Sequence, residues 1–185
     1  LLLEGLRQLE YRGYDSAGIA TIETSAPDAT PQLHCIRAKG KLVNLTARID
    51  QEGAPGFCGI GHTRWATHGK PEVHNAHPHC DGSADVAVVQ NGIIENHRAL
   101  REELSGVGVS FRSDTDTEVI PHLVSAELQQ QCAAGQPVDG STLLRAVQAV
   151  LPRLQGAYAL AVLWAEAPGA LVVARKAAPL LIGLG

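Results

Sequence analysis

Residues 96–151 carry three successive stretches of helical spacing, and short apolar runs flank this block on both sides. Strands surrounding a cluster of helices favour a layered α+β fold. Asn96 is a good N-cap for the first helix, with Leu100 and Leu104 one turn apart. The second starts near Thr115, with Glu118 three residues on completing a capping box. Its apolar stripe is Val119, Ile120, Leu123, Val124 and Leu128. Ser141 caps the third, which carries Leu144, Val147, Val150 and Leu151. Before the block, Asp85 to Gln90 is a short apolar strand; after it, Tyr158 to Trp164 and Ala170 to Ala174 are two more, divided by a Pro-Gly turn.

The front of the chain is less regular. Leu2, Leu3, Leu6 and Leu9 follow helical spacing, so residues 1 to about 11 read as the rear of an amphipathic helix. Arg12 to Ser16 is turn chemistry, and Ala17 to Ile22 reads as a strand. Ser25 to Pro31 is a loop, Leu42 to Ile49 a short helix, and Phe57 to Gly61 a strand. That strand runs into a His-rich segment, 62–80, which reads as irregular. The chain has no Met at its start, and Leu180 to Gly185 stops in what reads as a strand. Both ends are therefore expected to be truncations. There is no internal repeat.

With 185 residues, 45% of them hydrophobic, the chain is long enough for one domain with a sizeable core. A net charge of −4 gives no basic footprint, so no nucleic-acid partner is expected. No apolar stretch approaches the roughly 20 residues that span a bilayer, so no membrane partner is expected. Four cysteines, Cys35, Cys58, Cys80 and Cys132, suit neither a disulfide framework nor a zinc ribbon. Free thiols fit a reducing cytoplasm.

Four segments carry possible chemistry. His62-Thr63-Arg64-Trp65-Ala66-Thr67-His68 is a Gly-bounded loop whose guanidinium can clamp a carboxylate, or it is an ordinary exposed loop. Asn91-Gly92 ends an apolar strand; an Asn amide and a Gly N–H can donate to one oxyanion, but Asn-Gly is also the commonest two-residue hairpin turn. Asp114, Asp116 and Glu118 exceed what one helix start requires, leaving one carboxylate able to hold a substrate ammonium. His62, His68, His74, His77 and His79, with Cys80 adjacent, are the best case for a metal. No HExxH or paired-Cys spacing supports it, so solvated or hydrogen-bonded histidines are expected, and neither metal nor cofactor is assigned.

Taken together, Leu9 to Gly18, His62 to Gly69, Asn91 to His97 and Ser113 to Glu118 resemble, in order, the glutaminase domain of the glutamine–fructose-6-phosphate aminotransferase (glucosamine-6-phosphate synthase) family. Gly156-Ala157-Tyr158 and Pro179 to Gly183 match as well. Other class II amidotransferases share the layout but differ at Tyr11, Tyr14 and the Trp65 to His68 run. The resemblance implies a four-layer αββα fold of the N-terminal-nucleophile hydrolase type, here incomplete. It implies hydrolysis of L-glutamine to glutamate and ammonia, without a cofactor. It also implies a separate C-terminal isomerase region, absent from residues 1–185, that uses the ammonia on fructose 6-phosphate and mediates a homodimer.

By the same resemblance the Asn91 side chain and the Gly92 N–H form the oxyanion hole. Arg64 holds the substrate carboxylate, Asp116 its ammonium, and Trp65, Thr67 and His68 lie on a loop that closes over glutamine. The family's nucleophile is an N-terminal Cys in a Cys-Gly-Ile run, and this chain starts beyond it. Cys58-Gly59-Ile60 imitates that run but has no free α-amine. Residues 1–185 alone are therefore expected to be inactive, with a central strand missing. The rival classes are a non-catalytic glutamine-binding module and a zinc-binding interaction domain.

Overall fold

A computed structural model describes residues 1–24, 29–65 and 69–183. Helix α1 (Leu2–Leu9) is followed by β1 (Ser16–Glu23), β2 (Gln32–Lys39), α2 (Leu42–Glu52) and β3 (Cys58–Arg64). The short β4 (His79–Cys80) and β5 (Val86–Gly92) lead into α3 (His97–Gly106), α4 (Val119–Ala133) and α5 (Gly140–Val150). The last strands are β6 (Tyr158–Trp164) and β7 (Val172–Lys176). Strands β2-β1-β3 form one antiparallel sheet and β4-β5-β6-β7 another.

Alternation along the strands then dictates layering, because successive side chains point to opposite faces. On β1, Ala17 and Ile19 pack with Leu6 of α1 and Leu42 and Leu45 of α2. The intervening Ala20 and Ile22 pack instead with Ile60, Ala87 and Leu163 from the other strands. On β5 and β6, Val86, Val88, Leu160 and Val162 face the α3–α5 layer, where Ile120, Leu123, Leu143 and Val147 complete the largest apolar cluster. Both sheets are thus covered on both faces: helices, sheet, sheet, helices. This is the four-layer αββα arrangement that the family resemblance implies.

Several local expectations need correction. Asn96 occupies the N-cap position of α3 as expected, but its side chain makes no capping bond; its carboxamide donates to Arg153 O at 2.8 Å and accepts from Gln155 N at 3.0 Å, tying the helix start to the segment before β6. Glu118 makes no capping box, and α4 begins only at Val119, because both Glu118 oxygens are taken by Arg112 N and Ser113 N at 2.7 Å each. Asp139, not Ser141, caps α5, accepting from Ser141 N at 2.8 Å and Thr142 N at 3.1 Å. In α5 the buried face is Leu143, Ala146, Val147 and Val150, and Leu144 is exposed. Residues 180–183 form no strand, and Leu181 and Ile182 are exposed. The Ser25 to Pro31 loop lies mostly outside the described residues.

β2 has no counterpart in the sequence reading. Of its eight residues only Ile36 and Ala38 are fully buried, so an edge strand with His34, Arg37 and Lys39 shows little apolar signal. β3 is the opposite edge of that sheet. Beside it runs an apolar groove of about 450 Å³ lined by Leu1, Leu2, Leu6, Leu9 and Gly61. Among the described residues no helix is long and apolar enough to cross a membrane.

Candidate active site

The strands deliver the candidate residues to one end of the molecule. Arg64 is the last residue of β3, paired in register with Ser16, and Asn91 and Gly92 are the last residues of β5. Asn91 and Gly92 lie opposite Ala159 and Tyr158 in the ladder with β6, so the hairpin-turn reading of Asn-Gly is overturned. Gly92 has φ +112°, and a Cβ there would lie 2.1 Å from Ala157 O. Only glycine fits that approach.

The Arg64 side chain is buried, not a loop exposed to solvent. Its guanidinium donates to Gly69 O at 3.2 Å and Lys70 O at 3.4 Å, and stands 3.6 Å from Asp15 Oδ1. Burial pulls its pKa down, while Asp15 and then Asp116 push it back up, so a cation is held among carboxylates. Asp15 was not anticipated as its partner. Ser16↔Arg64 pairing places it there, and no spacing in the sequence carries that register.

The three clustered carboxylates separate by environment. Asp114 is exposed and bonded to Asn75 Nδ2 at 3.2 Å. Glu118 is buried and accepts from two backbone N–H groups and from Ser113 Oγ at 2.6 Å, with His122 Nε2 3.9 Å away. Burial would raise its pKa, but His122 and these donors outweigh that and hold it at about 2. Asp116 is buried, and its Oδ2 accepts from Ile94 N at 2.7 Å. Its Oδ1 has no hydrogen bond among the described residues.

Trp65 is exposed and meets the exposed Tyr14 edge-on, ring centroids 5.6 Å apart at 61°. Thr67 and His68 lie outside the described residues.

The histidines form a feature the sequence reading left as a solvated or hydrogen-bonded set. His62 on β3 bonds to Asn91 Oδ1 at 2.8 Å. Its ring stacks on His77 at 4.3 Å and 19°, and His77 meets His79 edge-on at 4.7 Å. His77 Nδ1 accepts from Gln90 N at 3.3 Å, and His79 Nε2 lies 3.0 Å from Thr115 Oγ1. Burial first, then neighbouring cations, depress all three: His62 below its ordinary value, His77 well below it, His79 to about 3. At neutral pH these rings are uncharged. His74 is exposed beside Asp114. Among the described residues, no group of three or more His, Cys, Asp or Glu is arranged to hold a metal ion.

A buried cation, a buried carboxylate and a strand-end Asn-Gly thus stand at the polar end of the two facing sheets, groups complementary to a carboxylate, an ammonium and a developing oxyanion. Residues 62–183 match the glutamine amidotransferase domain family, and the chain belongs to it. Among solved structures, glutamine phosphoribosylpyrophosphate amidotransferase from B. subtilis, complexed with ADP and GMP, matches at TM-score 0.66 and 25% identity, over 88% of this chain and 32% of that one. An allosteric regulatory enzyme of purine biosynthesis matches at TM-score 0.68 and 27% identity, over 88% and 32%.

More specifically, the chain is 54% identical over all 185 residues to the isomerizing glutamine–fructose-6-phosphate aminotransferase of Thermosynechococcus vestitus, covering 28% of its length. It is 55% identical to that of a Nostoc species, again over 28%. The enzyme of the same name from Methanothermobacter thermautotrophicus is 46% identical, with 29% of its length covered. The chain thus spans under a third of the length of these curated relatives.

Proposed function

We propose that residues 1–185 are part of the glutaminase domain of an isomerizing glutamine–fructose-6-phosphate aminotransferase. In this reading L-glutamine is hydrolysed to glutamate and ammonia. A C-terminal isomerase region, which also carries a homodimer contact, then uses the ammonia to make glucosamine 6-phosphate. The observation that carries it is the convergence of Arg64, Asp116, Asn91 and Gly92 at one end of the two sheets, in a chain 54% identical to such an enzyme.

Each role is the one that the family resemblance implies, and each has a chemical rationale. Arg64 offers a fixed cation to the substrate α-carboxylate. Asp116, anchored through one oxygen by Ile94 N, offers the other to the α-ammonium. Asn91 Nδ2 and Gly92 N–H donate to the oxygen that becomes negative when the carboxamide is attacked. The nucleophile is an N-terminal Cys upstream of Leu1, whose α-amine, titrating near pH 7.7–8.0, takes its proton. The thiolate attacks the carboxamide carbon, ammonia leaves, and water releases glutamate from the thioester. The apolar groove between α1 and the β3 edge at Gly61 supports a strand there for that segment. Trp65, Thr67 and His68 belong to the loop that closes over glutamine.

The test separates binding from catalysis in the full-length protein. Removing one oxyanion donor costs about 10²–10³ in kcat, so Asn91→Ala should lower kcat far more than it moves KM. Truncating one member of a buried charge pair costs about 2–5 kcal/mol, so Arg64→Ala should raise KM for glutamine at least about tenfold. A pure KM effect of Asn91→Ala, or an unchanged KM in Arg64→Ala, removes that residue from its role.

A further inference from the structure

We propose that His62 fixes which end of the Asn91 carboxamide faces the reacting carbonyl of glutamine, acting as a positioning residue for the oxyanion hole. This rests on the reading of Asn91 as an oxyanion donor. A carboxamide has a donor end and an acceptor end of nearly equal size. Only one orientation serves: Nδ2 outward stabilises an oxyanion, whereas Oδ1 outward repels it. A neighbour must choose, and the side chain of Asn91 has one hydrogen-bond partner among the described residues, His62 Nε2 at 2.8 Å from Oδ1. Asn91 is otherwise exposed.

The choice of amide orientation and the choice of imidazole tautomer are one choice. A neutral ring carries a single N–H. With the proton on Nε2, His62 donates to Oδ1, and Nδ2 turns outward. With the proton on Nδ1, Nε2 becomes an acceptor, the carboxamide inverts to donate to it, and Oδ1 turns outward. His62 Nδ1 is buried and has no hydrogen-bond partner among the described residues. The second state therefore leaves a buried N–H donor orphaned, while the first leaves only a bare lone pair. Orphaned donors are the rarer and costlier of the two. The productive state is favoured.

The ring is also held in place. His77 lies under it at 4.3 Å, nearly parallel. His77 Nδ1 accepts the Gln90 N–H, so its own proton sits on Nε2, 3.5 Å from Thr117 Oγ1, and that hydroxyl donates to Gln90 Oε1 at 2.6 Å. Gln90 immediately precedes Asn91 on β5, so the support of His62 returns to the strand that carries the oxyanion donor. Gly18, opposite His62 on β1, makes room for this stack; a Cβ there would lie 2.2 Å from His77 O.

A histidine that merely packs would change stability, but not kcat selectively and not in dependence on Asn91. The experiment is a double-mutant cycle on glutaminase kinetics in the full-length protein. His62→Leu should lower kcat with little change in KM, and adding it to Asn91→Ala should produce no further loss. His62→Gln, whose side-chain amide can offer a donor near the Nε2 position, should recover most of the loss. Independent, additive losses, or an unchanged kcat in His62→Leu, overturn the proposal. An Asn91→Ala variant with full kcat removes the oxyanion reading and this inference with it, whereas loss in Asn91→Ala without loss in His62→Leu removes this inference alone. Should His62→Leu fail to fold, ¹⁵N spectroscopy of the unsubstituted protein reads the tautomer: a proton on His62 Nε2 supports the proposal, and one on Nδ1 overturns it.

Discussion

Between the two sheets, the same strands build an apolar region at one end and a polar one at the other. In the β1–β3 ladder, Ile22 faces Cys58 and Ala20 faces Ile60, then Gly18 faces His62 and Ser16 faces Arg64. On β5, Ala87 and Val89 belong to the apolar end, and Asn91 continues the same face at the polar end. Period-2 alternation decides which face a side chain occupies, not what chemistry it brings. The apolar end needs only volume, because the hydrophobic effect has no direction. The polar end needs particular donors, acceptors and tautomers, and is correspondingly less tolerant.

The largest expected difference is in response to acid. His62, His77 and His79 are all depressed by burial, His79 to about 3. An unfolded histidine titrates near 6.5, so below that pH the unfolded chain binds more protons than the folded one. The stability these rings permit is complete above about pH 6.5 and is lost as pH falls toward their folded values, by up to ~1.4 kcal/mol per pH unit for each ring. Glu118, held at about 2, adds a second loss only below the ordinary glutamate value, so above that value the histidines act without it. Urea midpoints measured between pH 7.5 and 5 should fall steeply. A flat profile would mean that the three rings are solvated in the folded protein.

At the apolar end Leu163 is fully buried against Ala20, Ile22, Ile60 and Ala87. Leu163→Ala should cost about 2–5 kcal/mol of stability, with kcat and KM for glutamine unchanged well below the new Tm. A fall in kcat alongside stability would show that the two ends are not separable. Gly18→Ala reverses the pattern. The added methyl meets His77 O at 2.2 Å and Arg37 Cγ at 2.9 Å, so the His77 stack must shift. About 1–3 kcal/mol of stability is expected to go, together with a drop in kcat. Normal kcat in a folded Gly18→Ala protein would show that the stack does not support the site.

What the sequence disclosed follows the same division. Tyr158–Trp164, buried in both directions, reads as an apolar run and is found with those bounds. The α4 stripe, from Val119 to Leu128, is buried as expected. The four-layer order comes from the family resemblance, since periodicity alone goes no further than a layered α+β fold. β2 is illegible because half-buried edge positions accept almost any residue. At the site, Arg64, Asn91 and Asp116 stand out by residue type and motif. Asp15 and the roles of His77, Gln90 and Thr117 do not, because they arise from pairing across 13 to 49 positions. A His-rich segment with Thr and Gln nearby was the only available hint, and it points equally to solvated rings.

The smallest effect is expected at Cys58, although Cys58-Gly59-Ile60 has the look of a nucleophile motif. Cys58 begins β3 and Arg64 ends it, so at about 3.3 Å per residue the two are roughly 20 Å apart along the strand. A glutamine held at Arg64 cannot place its carboxamide at Cys58. The thiol packs at the apolar end, where burial raises its pKa against a smaller opposing effect from the Gly59 N–H. The thiolate that attack requires is therefore suppressed. Cys58→Ser in the full-length protein should leave kcat and KM essentially unchanged and stability within about 1 kcal/mol, a typical cost for a single substitution. A diazoketone analogue of glutamine should label the N-terminal Cys and leave Cys58 unmodified. Residues 1–185 alone should neither release ammonia from glutamine nor take up the label. Ammonia release by that fragment, abolished by Cys58→Ser, would move the nucleophile to the apolar end and dissolve the division between the two ends.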